Sequence, residues 1–151
     1  MNVVGVSKQK LQNAMKLGVL SLSEHSLEEI PAQVFNPELA KKLRRLDLSK
    51  NKLSSLGRIG ILVELKTLNL DSNALPAGSL APVSKLTKLQ TLSVSKNQLG
   101  KPAPRAGKQP SGPSEGAFPD LPVSLKQLNL ASNCFSSIPR PIVSVKLINL
   151  E

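Results

Sequence analysis

Asparagine is the residue whose spacing in this sequence most clearly indicates a chemical task. Asn51, Asn73, Asn97 and Asn133 each follow a leucine by eight residues. A side-chain amide carries two N–H donors and one carbonyl acceptor, so it can pair with several backbone groups at a turn. Removing it would leave buried backbone groups unpaired, at a cost of about 1–3 kcal/mol each. We therefore interpret these four residues as a structural ladder and not as catalytic groups.

The single histidine and the single cysteine lack the partners that catalysis requires. His25 occupies the position that asparagine takes in the later units, and Cys134 lies beside one of the ladder asparagines. The sequence contains no Cys/His cluster, Ser-His-Asp arrangement, glycine-rich phosphate loop or metal-ligand spacing. We therefore predict a protein that is not an enzyme and that uses no cofactor and no metal.

The apolar residues around each asparagine repeat in a fixed pattern, L-x-x-L-x-L-x-x-N-x-L. Residues 43–53 follow it, and it returns with small changes from Leu65, Leu89 and Leu125. The central L-x-L alternates apolar and polar residues, which is the period of a strand with one buried face. One such strand cannot bury its leucines alone. We therefore expect successive units to stack into a parallel sheet over a continuous, mainly leucine core.

This pattern resembles the leucine-rich repeat family over residues 17–151. The resemblance implies an α/β solenoid, an arc with a short parallel β-sheet on the concave face and 3₁₀ or helical turns on the convex face. It implies that the ladder asparagines bridge adjacent turns, and that the protein binds other proteins without catalysing a reaction. Residues 14–23, together with 27–31, are similar to the start of intracellular leucine-rich repeat-containing proteins of the 57 type.

The repeat units are predicted to begin near residues 17, 43, 65, 89, 125 and 145. Residues 1–16 precede them as a tail and a short helix starting at Ser7, which either caps the first unit or frays. Between the fourth and fifth units, residues 100–116 are rich in proline and glycine and almost free of apolar side chains. Such a segment cannot bury enough surface to order itself, so we expect a disordered insertion.

The last unit stops inside its own strand, at Glu151. Solenoids normally end in a cap with a polar outer face. We therefore expect either a fragment whose further repeats cover this open edge, or a partner that covers it. We otherwise expect a monomer.

Composition bears on the cellular setting. The first twenty residues contain no long apolar run, and no stretch approaches the length of a membrane span. One cysteine excludes an internal disulfide framework, and the second residue is not the glycine that myristoylation needs. The sequence therefore predicts a cytoplasmic protein, with the nucleus as the other setting, and no membrane span.

The exposed positions between the buried leucines define the predicted binding surface. Small polar side chains and scattered charges there suit a protein partner of unknown identity, as in a signalling scaffold. The same alignment places Asn149 beside Asn129. The predicted partner-binding residues are Arg44, Arg45, Asp47, Lys66, Thr67, Asn69, Asp71, Gln90, Ser93, Lys126, Gln127 and Asn129.

The net charge of +10 supports an alternative, a basic surface for nucleic acid or anionic membrane. However, the twenty lysines and arginines are dispersed from Lys8 to Lys146, and the chain contains no tryptophan or tyrosine. Single-strand binders stack bases on such aromatic residues. The composition therefore favours a protein partner over nucleic acid.

Overall fold

A computed structural model describes residues 6–76, 79–99, 121–133 and 149–150. Residues 149–150 are described by their backbone only. The predicted insertion at 100–116 lies outside these residues. The strands are β1 (Val19–Ser21), β2 (Arg45–Asp47), β3 (Thr67–Asn69), β4 (Thr91–Ser93), β5 (Gln127–Asn129) and β6 (Asn149–Leu150). The helical segments are α1 (Lys8–Leu17), α2 (Pro37–Ala40) and the 3₁₀ turns η1 (Ala32–Phe35), η2 (Ile59–Ile61) and η3 (Ala81–Lys85).

The six described strands form one parallel sheet, in the same order as in the sequence. Each strand therefore belongs to one coil of a solenoid. The coils of β1 to β5 are numbered one to five, from residues 17, 43, 65, 89 and 125, and β6 belongs to the next coil. Leu20, Leu46, Leu68, Leu92 and Leu128 are paired across the sheet and at most 2% exposed. The predicted solenoid with a parallel sheet and a leucine core is confirmed.

Helix α1 covers the first coil. The Ser7 hydroxyl accepts a hydrogen bond from the Lys10 backbone N–H (3.3 Å) and so starts the helix. Ala14 is completely buried, and Leu11 and Met15 pack against the core. The helix ends at Gly18 (φ +72°), where a Cβ atom would lie 2.8 Å from the Lys42 carbonyl oxygen. Only glycine fits this junction between α1 and β1.

The 3₁₀ turns close the opposite, convex side of the core. Val34 in η1, Ile59 in η2 and Val83 in η3 are all fully buried. The strands therefore line the concave face, and every other strand residue points outward from it.

The register of β6 corrects the sequence alignment. We predicted that Asn149 would lie beside Asn129, in a unit beginning near residue 145. The structure pairs Asn149 with Gln127 and Leu150 with Leu128, a shift of two residues. The physical reason is visible in the sequence, because only the spacing from Leu147 to Leu150 repeats the L-x-x-L of the other coils. The strand of the last unit is therefore shifted by two residues from the predicted alignment.

The residue before each asparagine position has a left-handed backbone. Glu24, Lys50, Ser72, Lys96 and Ser132 have φ values between 54° and 60°, although none is glycine. This conformation costs an ordinary residue about 1–2 kcal/mol. In return, the first four of them donate their N–H groups to carbonyl oxygens of the next coil, at 2.8–3.1 Å. The strained residue thus carries one of the hydrogen bonds that join adjacent coils.

Lys96 is exposed and offers a test of this constraint. We expect Lys96→Val to lower the free energy of unfolding by about 1–2 kcal/mol, because a β-branched side chain tolerates positive φ poorly. Lys96→Asn should leave it unchanged or slightly raised, because asparagine tolerates this conformation. Urea unfolding compares the two variants, and equal midpoints would contradict the assignment of strain.

Candidate functional site

The ladder asparagines bridge neighbouring coils through their side-chain amides. Asn97 is 6% exposed, and its Nδ2 donates to the Leu70 carbonyl of the preceding coil (2.9 Å) and to Val94 of its own (3.1 Å). Its Oδ1 accepts from the Leu75 N–H of the preceding coil (3.1 Å). Asn51, Asn73 and Asn133 make the corresponding bonds. Every one of these amides thus uses both its nitrogen and its oxygen within the chain, which fits a structural role.

These bridges all run in one direction, from each asparagine back to the coil before it. Asn51 serves the first coil, where its Oδ1 accepts from the His25 and Leu27 N–H groups, both at 3.0 Å. The first coil has no preceding coil, so its own slot does not need an asparagine. His25 occupies this position, and its ring bonds within its own coil and to α1 instead of to a preceding coil. Its Nδ1 donates to the Ser23 carbonyl (2.5 Å), and its Nε2 lies 3.0 Å from Lys10 Nζ.

Several residues of the predicted binding surface are already used inside the chain. The side-chain oxygens of Asp47, Asn69 and Asn129 accept the backbone N–H two residues further on, at 2.9–3.0 Å. Each bond turns the chain away from the sheet at the end of a strand. These side chains are therefore structural at least in part, and their oxygens are only partly available to a partner.

Asp71 joins the third coil to the fourth. Ser93 stands where the neighbouring coils have Asn or Asp, and its hydroxyl donates to Asp71 Oδ1 (2.6 Å). The same oxygen accepts the Ser95 N–H (2.8 Å), a role that the strand's own Asx residue plays in coils two, three and five. Asp71 thus supplies the acceptor that Ser93 cannot.

The residues just before the strands form a second group, the leading edge: Gly18, Arg44, Lys66, Gln90 and Lys126. Within it, the carbonyl oxygens of residues 18, 44, 66 and 90 each accept two N–H groups from the next coil, at 2.7–3.0 Å. The four long side chains are exposed and make no hydrogen bond to other residues in the described part of the chain. Arg45, next to Arg44, is exposed in the same way. The long side chains of this edge therefore keep all their donors unoccupied. In the described residues, Thr67, Gln127 and the amide nitrogens of Asn69 and Asn129 are the other predicted groups with unoccupied donors.

Glu64 is an acidic residue close to the leading edge that the sequence reasoning did not single out. Its two carboxylate oxygens accept hydrogen bonds from Lys88 Nζ at 2.7 and 2.8 Å. These bonds, with smaller contributions from the charges of Lys88, Arg44 and Lys66, lower the pKa of Glu64. Its position two residues before Lys66 was the available sequence signal. Glu64 offsets part of the positive charge at the centre of the edge.

A shallow cavity of about 170 Å³ lies between α1 and the first coil, lined by Val6, Ser7, Lys10, Leu22, His25, Leu27 and Pro31. No three His, Cys, Asp or Glu side chains in the described ranges are grouped as a metal ion would require. No helix in those ranges has the length and apolarity needed to cross a membrane.

Comparison with known families agrees with this geometry. Family models described as leucine-rich repeat match residues 40–62 and 124–145. The chain is a leucine-rich repeat protein. Human leucine-rich repeat transmembrane protein FLRT2 is 30% identical over 149 residues, which cover 99% of this chain. Leucine-rich repeat-containing protein 58 from Mus musculus is 35% identical over 132 residues, 84% of this chain. A Shigella effector leucine-rich repeat domain superposes on 94% of the chain, with 25% identity and a TM-score of 0.57.

The leucine-rich repeats of this chain correspond to only part of each of these proteins. The chain spans 21% of FLRT2, 34% of protein 58 and 52% of the Shigella domain. Membership of the 57-type group stays a prediction, because the matches support the family and not that subgroup. The cytoplasmic setting also stays a prediction, since the human relative is by name a transmembrane protein.

Replacing a ladder asparagine tests how much its hydrogen bonds contribute to stability and which coil they stabilise. We expect Asn97→Ala to lower the free energy of unfolding by about 1–3 kcal/mol, because buried backbone groups lose their partners. The Leu75 amide in the preceding coil should also exchange its proton faster, as measured by NMR. Gln98→Ala, at the exposed neighbouring position, is the control and should change stability by less than about 0.5 kcal/mol. An unchanged melting midpoint for Asn97→Ala would refute the ladder.

Asp71 offers a second test, on the concave face itself. Asp71→Ala should lower the free energy of unfolding by about 1–2 kcal/mol, because the Ser95 N–H and the Ser93 hydroxyl lose their acceptor. Asp71→Asn keeps one oxygen in place and should recover most of that loss. Urea unfolding measures both. If the two variants are equally destabilised, the accepting oxygen is not what Asp71 contributes.

Proposed function

We propose that this chain is a non-enzymatic interaction module that binds a protein partner across its concave face. The observation that carries the proposal is a difference between two groups of polar side chains on this face. The side-chain oxygens of Asp47, Asn69, Asp71 and Asn129 are bonded to their own chain, whereas exposed donors lie along one edge, on Arg44, Arg45, Lys66, Gln90 and Lys126. A partner that approaches this face therefore meets a preformed row of donors.

The arrangement favours recognition over catalysis for a chemical reason. Catalysis requires a base or nucleophile held within hydrogen-bond reach of its orienting partner. The predicted partner-binding residues lack both histidine and cysteine, and the bonded oxygens of Asp47 and Asp71 accept from backbone N–H groups in turns. The rigid sheet beneath them keeps exposed side chains at fixed spacing, which is what a binding surface requires. We further propose that the module acts as a monomeric scaffold in the cytoplasm or nucleus.

Charge reversal at the leading edge tests the proposed function. A partner captured with the wild-type chain is identified by mass spectrometry, purified, and titrated calorimetrically against variants. The triple variant Arg44→Glu, Lys66→Glu and Lys126→Glu should bind about 100-fold more weakly, because each reversal replaces a weak attraction with a repulsion. The fold should be intact, since all three side chains are exposed.

The matched control carries the same charge change elsewhere. Lys41→Glu, Arg58→Glu and Lys85→Glu alter three exposed residues on the turn side of the solenoid and should leave the affinity within about threefold of the wild type. Equal affinity of both triple variants would place the binding surface away from the leading edge. A captured nucleic acid in place of a protein would favour the alternative function that the net charge suggests.

A further inference from the structure

We infer that the segment bound at the leading edge is an extended acidic peptide with an apolar residue at the end that meets the first coil. This inference rests on the proposed function and names the chemistry of the partner. Three features of the edge carry it: its charge, its length and an exposed apolar patch beside Gly18.

The charge of the edge selects an acidic partner. Its side chains from Arg44 to Lys126 are three cations and one amide, and Arg45 adds a fourth cation on the adjoining strand. Glu64, two residues before Lys66, is already paired with Lys88. Farther onto the face, the oxygens of Asp47 and Asp71 are bonded within the chain. The edge therefore presents unpaired donors, and carboxylates are the peptide groups that bind such donors most strongly.

The spacing of the coils gives the length of the segment. Arg44 and Lys126 are three strands apart in the sheet. Neighbouring strands lie about 4.8 Å apart, so the edge between these residues is about 14 Å long. An extended peptide rises about 3.3 Å per residue, so about five residues span this distance. A helix would need about ten residues for the same distance, so the extended form is the shorter segment that spans the edge.

An apolar patch lies at the first-coil end of the edge. Leu17 is 74% exposed and Val19 is 46% exposed, and they flank Gly18. The Arg44 side chain extends past the same glycine, since its Cγ would lie 3.7 Å from a Cβ atom built there. Val19 is also paired directly with Arg45 across the sheet. Exposed apolar surface and two arginine residues are thus neighbours here, which suits an apolar residue followed by carboxylates.

The same patch argues against nucleic acid as the occupant. Proteins that bind single-stranded nucleic acid stack the bases on aromatic side chains, in addition to contacting the phosphates. Phe35 is the one aromatic residue in the described ranges, and it packs near Gly57 on the turn side of the solenoid. A nucleic acid at the leading edge would therefore lack stacking contacts, whereas the peptide uses both the charges and the apolar patch.

Fluorescence anisotropy with short labelled peptides tests the inference on the full chain. The probe has one leucine and about five glutamates, and it is made with the leucine at either end because the direction of binding is open. Its comparison peptides replace leucine with serine, or all glutamates with lysines. At least one leucine–glutamate probe should bind, about fivefold more tightly than its serine form, and binding should weaken as salt rises. The lysine peptides should not bind.

Variants of the chain then identify where the probe peptide binds. Arg44→Gln with Lys66→Gln should weaken binding about tenfold, whereas Arg58→Gln with Lys85→Gln, which removes the same charges on the turn side, should not. Glu64→Gln should strengthen it about twofold to fivefold, because a repelling carboxylate is removed. Leu17→Ser with Val19→Ser should abolish only the preference for leucine. All these positions except Glu64 are exposed, and thermal unfolding checks that each variant is folded.

The inference is overturned if neither leucine–glutamate probe binds below about 1 mM, or if lysine peptides bind equally well. It is also overturned if a single-stranded oligothymidylate binds where the peptides do not. The proposed function fails on a different result, namely unchanged affinity of a captured protein for the triple reversal at the leading edge. If the triple variant loses affinity for the captured protein but the wild-type chain does not bind the acidic probe, the proposed function stands and the acidic-peptide inference is refuted.

Discussion

Every coil of this chain depends on its neighbours to keep its leucines out of water. A strand of three residues buries only one side chain of its own on the core side, as Leu46 does in β2. That side chain is dry because Leu20 and Leu68 lie on either side of it. The same holds for each column of the core, so no coil has an interior of its own. Stability in such a structure is a property of contacts between coils and is not located within any one of them.

Polar groups must obey the same constraint, because stacking coils also buries backbone N–H and carbonyl groups at the turns. The asparagine amides, the left-handed residue before each of them, and the Asx oxygens at the strand ends together supply the missing partners. Among the described residues, no buried side-chain nitrogen or oxygen is left without a hydrogen bond. This completeness explains why the polar residues of the concave face are less available for binding than their polarity suggests. The leading edge differs because its side chains lie outside the turns and have no backbone group to serve.

The sequence predicted the solenoid because its period, its leucines and its asparagines all indicate the same structure. The bonds of Asp71 were not predictable, because they depend on which residue stands in the next coil, here Ser93 in place of Asn or Asp. The register of Asn149 was misassigned by two residues, since a shift of two preserves the alternation of faces and is opposed only by the leucine spacing. Glu64 and Lys88 each precede the first leucine of their unit, so the repeat alignment places them side by side, but the presence of opposite charges there depends on these two particular coils. What a repeat fixes within one unit could therefore be predicted, and what depends on two particular units could not.

The one-way direction of the asparagine bridges has a consequence for the order in which the chain is assembled. A ribosome delivers the chain from its N-terminus, and domains generally begin to fold in that order. Each completed turn must then wait for the amide of the following turn, as the first coil waits for Asn51. Ordered structure on the growing chain should therefore trail synthesis by one full turn. Helix α1 and His25 complete the outer side of the first coil, which the asparagines of later coils do not bridge.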